Sequence, residues 1–272
     1  MPTVRLTPHH LLLGVAAATL AGMLSPPASA HAQSRLSERL RLVERLHGEG
    51  DYAAALPALR AALQENPGDY DVRCWMARLL MDSSQLVAGS GPTEHARLLS
   101  EEALAHARAA VAARARGAEG WFQVGRAIGT LSRLAGGSES VGMARESKSA
   151  FETALSLDPR HAGALHGLAR WHRSVAGLSA AERLAASLFF GGLPPASREE
   201  AVLLLRRAAA VEPAVLEHHL ELARTYVELG RADSARVHLE TVLGLPGTRR
   251  GDSARREEAR RMLDGLGAGR RQ

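Results

Sequence analysis

One small pattern recurs along this chain and leaves little freedom in the fold. Ala55, Leu59 and Ala62 precede Pro67, Phe151 and Ala154 precede Pro159, and Ala201, Leu205 and Ala208 precede Pro213, all at matching offsets. Ala103, Ala107 and Ala110 keep the spacing without the proline, and Ala235, Leu239 and Val242 close the series. Steps of three and four residues place these side chains on one helical stripe, and proline stops a helix because it lacks an N–H. Four partner helices carry a second signature: Met76, Ala77 and Leu80; Val124, Gly125 and Ile128; Leu165, Leu168 and Ala169; Leu222, Ala223 and Tyr226. The small residue in each lets two helices approach closely. A helix pair that cannot bury its apolar face alone must stack on its neighbours. The chain is therefore expected to be all-α.

The offsets follow the tetratricopeptide pattern, which predicts a right-handed solenoid of about five tetratricopeptide-like helix hairpins. Some of these are lengthened. Equivalent repeat ends at 67, 115, 159 and 213 are 48, 44 and 54 residues apart, against ~34 for the ordinary unit. The extra chain falls near 82–98, 132–139 and 174–197, each time inside a hairpin. The last insertion can be read in detail. Ser179 and Glu182 make a capping box, Leu184 and Leu188 share a face, Gly191-Gly192 stops the helix, and Ser197 starts the next one. Phe189 and Phe190 end that short helix and are expected in the core; an exposed tip for a membrane or partner is the other reading.

Composition agrees with helices. Aromatics are only 4% of the chain, which suits a close-packed helical core better than a sheet. Residues 1–30 carry Arg5, an apolar run from Leu11 to Leu24 and the small-residue end Ala28-Ser29-Ala30, the layout of a cleaved secretory signal. The run is short for a membrane span, so an N-terminal anchor is the lesser expectation. Three segments follow: the signal (1–30), the repeat domain (31–246) and a basic capping helix and tail (247–272). A periplasmic or secreted location is expected. Cys74 is the only cysteine, so no intrachain disulfide is available.

The run "LARWHRSVAGLSAAERLAASLFFGGLPPASREEAV", with "GWFQVGRAIGTLSRL" and "FETALSLDP" upstream, resembles the regulator of microtubule dynamics family. The resemblance covers roughly residues 50–245. It implies a helical-repeat fold and adaptor behaviour, with the insertion a trait of the fold. Microtubule binding is not carried over, because an exported protein would meet no tubulin.

The residues most suggestive of function form a ladder. In four successive first helices the small residue is followed by arginine: Arg78, Arg126, Arg170 and Arg224. Tetratricopeptide geometry turns that position to the concave groove, and Phe122 and His166 are placed there too. Guanidinium forks suit carboxylate or phosphate, so a groove for an acidic peptide, a C-terminal carboxylate or an anionic headgroup is one reading. The other is internal pairing, with Asp71, Glu119 and Glu217 neutralising arginines of adjacent repeats. Both stay open on sequence alone.

The histidine spacings offer no metal site, no phosphate-cradling loop is present, and no nucleophile elbow follows a strand. No enzyme activity, cofactor or metal is expected. The end of the chain from Leu245 holds eight arginines and four acids, without the aromatic platform a nucleic-acid surface uses. The expected function is a non-catalytic adaptor or scaffold holding an acidic protein segment. The alternative is a carrier of a lipid or small anionic ligand in a pocket between extended hairpins; an anionic membrane surface is a further possible partner.

Overall fold

The computed structural model describes residues 28–88, 94–135 and 137–268. They form twelve helices: α1 (Ala28–Gly48), α2 (Tyr52–Glu65), α3 (Tyr70–Ala88), α4 (Glu94–Ala113), α5 (Ala118–Leu134), α6 (Gly137–Leu157), α7 (Ala162–Ala176), α8 (Ala180–Phe190), α9 (Arg198–Val211), α10 (Leu216–Glu228), α11 (Ala232–Gly244) and α12 (Asp252–Ala268). The pairs α1–α2, α3–α4, α5–α6, α7–α9 and α10–α11 are the hairpins, with α8 inserted in the fourth and α12 packed on the last. The fold is an all-helical solenoid of the kind the repeat predicts.

The sequence stripe is the packing stripe. Ala55, Leu59, Ala62, Ala103, Ala107, Ala110, Ala154, Ala201, Leu205, Ala208, Ala235, Leu239 and Val242 have no exposed surface, and Phe151 is 4% exposed. The proline-marked helices α2, α6 and α9 each stop two residues before their proline. Phe151 is the largest wedge in the stack. A Cβ added to Gly125 of α5 would lie 2.8 Å from its ring, and one added to Gly167 of α7 would lie 2.5 Å from it. Glycine at both positions leaves room for the ring between two successive repeats.

The three insertions have two structural solutions. In the second and third hairpins the helices themselves run longer, and small hydroxyl residues join them. Ser84 donates to the Ala96 carbonyl at 2.9 Å and contacts the Ser100 hydroxyl at 2.9 Å; Ser132 and Ser140 exchange hydroxyl-to-carbonyl bonds at 2.9 Å each. In the fourth hairpin the extra chain is the separate helix α8. Its capping box is complete, with the Ser179 hydroxyl accepting from Glu182 N–H and the Glu182 carboxylate from Ser179 N–H. Gly191 ends it at φ +73°, a conformation that glycine adopts without a Cβ clash.

Here one expectation is corrected. Helix α8 packs on α6 and buries Ala186, while Phe189 is 73% exposed, with Leu184 and Leu188 beside it at 59% and 67%. Consecutive helical residues point about 100° apart, so the pair cannot both face inward. Phe190 alone turns in.

The far ends of the stack meet. Arg250, in the turn before α12, donates to the Gly50 carbonyl in the turn after α1, and its guanidinium lies 5.5 Å from the Tyr52 ring centre. Asp252 holds that turn by accepting from the N–H groups of Thr248 and Arg249 at 3.0 and 2.9 Å. The basic end is thus tied into the fold: Arg255 pairs with Glu217, and Arg256 donates to the Leu245 carbonyl. On α12, Ala259 is buried, with Met262 and Leu266 packed against the last hairpin. The expected signal peptide lies outside the described residues except at its end, where α1 begins at Ala28. Among the described residues no helix is long and apolar enough to cross a membrane.

Candidate functional site

The first helices of the hairpins, with α12, enclose a cavity of about 1770 Å³. All four ladder arginines line it, as do Phe122 and His166. The sequence placed these six on one surface, and the fold does bring them together.

Carboxylates from neighbouring repeats meet the ladder. Arg78 donates to Glu119 at 2.7 Å, and Glu119 also accepts from Gln123 at 2.7 Å and contacts His161 at 3.0 Å. Arg126 pairs with Asp82 of the preceding repeat, whose other oxygen is 2.6 Å from His47. Arg224 makes a fork to Glu258 of α12 at 2.8 and 2.6 Å and a third bond to Glu221 at 2.7 Å. Each acid therefore ties together two or three layers of the stack. Of the partners read from sequence, Glu119 does serve the ladder. Asp71 instead faces Arg114 at 3.9 Å, and Glu217 pairs with Arg255 of α12. Asp82, Glu221 and Glu258 are the partners the sequence did not reveal.

These carboxylates stay ionised far into acid. Burial alone would raise the pKa of Asp82, but the Arg126 charge and the His47 hydrogen bond hold it down at about 2. Glu119 is likewise raised by burial and held at about 2 by His161 and Arg78, and Glu217 at about 2 chiefly by Arg255. Glu221 is the most enclosed acid, with its side chain 1% exposed. Its Oε1 lies 2.9 Å from Arg173 without hydrogen-bond alignment, and 3.9 Å from Arg170.

Phe122 is partly buried, its ring 4.9 Å from His161 and 6.3 Å from Phe151. It lines the cavity while packing against the core beneath. His166 contacts His218 nitrogen to nitrogen, Nδ1 to Nδ1, at 3.0 Å. One ring must donate and the other accept, so the contact is incompatible with two imidazolium ions. Burial, helped by nearby His218 and arginines, takes His166 down to about 3. His106 accepts from Arg73 at 3.0 Å and is lowered to about 4 by burial and that charge. His238, 3.3 Å from His219, is lowered to about 4 by burial and by His219.

A pH dependence follows. These histidines stay neutral when folded but gain a proton near pH 6.5 when unfolded, so the unfolded chain binds more protons below that value. Stability should fall as the pH drops from about 6.5 towards 4, by up to ~1.4 kcal/mol per pH unit for each histidine. A second loss follows below about pH 4 as Asp82, Glu119 and Glu217 are titrated towards their low folded values. Thermal melts across this range test it; a Tm flat from neutrality to about pH 5 contradicts the histidine assignment.

The cavity also has an apolar wall where the lengthened hairpins rise, formed by Val141, Val175, Leu178, Ala186, Phe190 and Leu193. No group of three or more metal-binding side chains gathers among the described residues.

The sequence profile of the regulator of microtubule dynamics proteins 1-3 matches residues 40–267. The chain belongs to this family. Regulator of microtubule dynamics protein 1 of Mus musculus is 26% identical over 247 residues, spanning 90% of this chain and 79% of the relative. Among solved structures, a thermophilic tetratricopeptide protein of Thermus thermophilus superposes with a TM-score of 0.63 and 25% identity, over 84% of this chain and 98% of that one. Pseudomonas aeruginosa pilF superposes with a TM-score of 0.54 at 14% identity, over 88% of this chain and 91% of that one, a likeness of fold alone. This chain thus combines the tetratricopeptide architecture with the inserted helix α8.

Proposed function

We propose that this protein is a non-catalytic, exported adaptor that holds an acidic segment of a protein partner in the cavity enclosed by its first helices. One observation carries the reading: a cavity of about 1770 Å³ is walled by arginines from successive repeats, three of them held in place by carboxylates. Such fixed donors bind carboxylates without first losing side-chain freedom. A fluorescein-labelled peptide rich in glutamate and leucine tests it by anisotropy. Affinity should weaken at least tenfold between low and moderate salt, as exposed charges become screened. Equal binding at both salts, or none, contradicts the reading.

The apolar wall between the lengthened hairpins favours a second reading, a carrier of a lipid or small anionic ligand. Native mass spectrometry of gently purified protein separates the two: a lipid-sized adduct supports the carrier, and a bare chain that takes up the peptide supports the adaptor. Export rests on the N-terminal pattern. N-terminal sequencing of the protein from its own cells should begin at His31; a chain starting at Met1 would contradict cleavage.

A further inference from the structure

Helix α8 carries its apolar face outwards. Successive residues of a helix turn by about 100°, so Ala180, Ala181, Leu184 and Leu188 fall on one arc, with Phe189 at its edge. All five are exposed. Ala186 and Phe190 point to the opposite side, towards α6 and the cavity. Glu182 and Arg183 lie on either flank of that inward side, so the outer arc is left without a charge. Leu188 and Phe189 are the most exposed large apolar side chains among the described residues. The others, Leu86, Leu98, Leu203, Val227 and Val237, stand singly on five different helices. Single apolar residues on a surface are ordinary, whereas a contiguous group on one element marks a contact face.

We propose that this arc is a membrane-docking face that lays α8 into the headgroup region of an anionic bilayer. Charge and area select the occupant. Arg145 of α6, itself exposed, donates to the Phe190 carbonyl at 2.7 Å, which sets its guanidinium at the C-terminal end of α8. Arg183, also exposed, donates to the Ala176 carbonyl at 3.3 Å. Neither makes an ion pair among the described residues, and the one acid of α8, Glu182, accepts from the Ser179 N–H in the capping box. An apolar arc bordered by arginines suits a helix lying in an anionic interface, where the apolar stems reach lipid phosphates. The three large side chains and their alanine neighbours offer on the order of 400 Å². Two copies joined there would bury about 800 Å², short of the ~1,200 Å² of a stable dimer. A bilayer takes up so small a face in weak, reversible docking. The inference goes beyond the acidic-segment reading and does not depend on it, because it concerns the outer side of α8 and not the cavity.

The test uses the full chain with one added cysteine carrying an environment-sensitive nitrobenzoxadiazole dye. Cys74 is buried and its thiol is pushed up to about 12, so the added cysteine reacts selectively. Ala181→Cys puts the dye on the arc and spares the large side chains; Val237→Cys puts it on the exposed side of α11 as the control. Phosphatidylcholine vesicles containing a quarter phosphatidylglycerol should brighten the dye severalfold on α8 and leave it unchanged on α11. Leu184→Ser, Leu188→Ser and Phe189→Ser made together should weaken vesicle binding at least tenfold. Their Tm should match the parent's, because the three side chains are exposed. No brightening, equal brightening on phosphatidylcholine alone, or brightening kept in the triple variant overturns the bilayer assignment. Brightening that needs no vesicle and grows with protein concentration puts a second copy on the arc and overturns it too.

Discussion

Replacing Glu221 by glutamine should destabilise the protein by ~3–5 kcal/mol, the cost of leaving buried charges without their partner. The residue has no exposed surface and stands among Arg170, Arg173 and Arg224. Arg173 and Arg224 retain Glu228 and Glu258, so the loss is not total collapse. It still removes the most enclosed negative charge between α7 and α10, and a buried amide cannot replace it. A chain of this size should melt about 10 °C lower. Glu146→Gln is the comparison, since its pair with Arg108 is exposed on both sides and worth well under ~1 kcal/mol. Similar melting temperatures for the two variants would mean that Glu221 is not a keystone of the stack.

Phe151→Ala should cost a comparable ~3–5 kcal/mol, because it empties the space between α5, α6 and α7. The sharper expectation concerns Gly167. In the parent, Gly167→Ala forces a methyl to within 2.5 Å of the Phe151 ring, and overpacking of that kind costs ~1–3 kcal/mol. The ring is already confined there, because Gly125 approaches the same Cδ1–Cε1 edge from α5. In the Phe151→Ala background the clash disappears, and alanine in place of a helical glycine should stabilise by up to ~1 kcal/mol. The sign of one substitution thus reverses with its neighbour. Urea unfolding of the two single variants and the double variant measures this, and strict additivity would refute the wedge.

Much of this was legible in the sequence because it is local or repeated. Each hairpin repeats the same offsets, so Ala55 through Val242 could be read as one stripe, and the complete cap of α8 follows from Ser179 and Glu182 three residues apart. The ladder was legible for the same reason: the residue after a mid-stripe alanine or glycine always turns to the concave side. What escaped depends on how far one repeat rotates against the next. Asp82 meets Arg126 across 44 residues and Arg250 meets Gly50 across 200, and no periodicity within a repeat specifies either contact. Phe189 was misplaced because apolarity indicates burial on average, whereas the single contact face of α8 is too narrow for both phenylalanines.

At Arg78, Arg126 and Arg224 the arginine ladder joins layers of the stack. The proposed function adds a second use of the same surface, in which Arg170, whose nearest carboxylate is 3.9 Å away, has the most donor capacity left to offer an acidic segment.

The proposed binding requires that the partner lie inside the cavity rather than on the outer helices. Hydrogen-exchange mass spectrometry of the full chain, with and without the glutamate- and leucine-rich peptide, distinguishes the two placements. Protection should appear in α5, in α7 and at the inward end of α8, with α4, α9 and α11 unchanged. Protection confined to those outer helices, with α5 and α7 exchanging as before, would place the partner on the convex face and refute binding in the cavity.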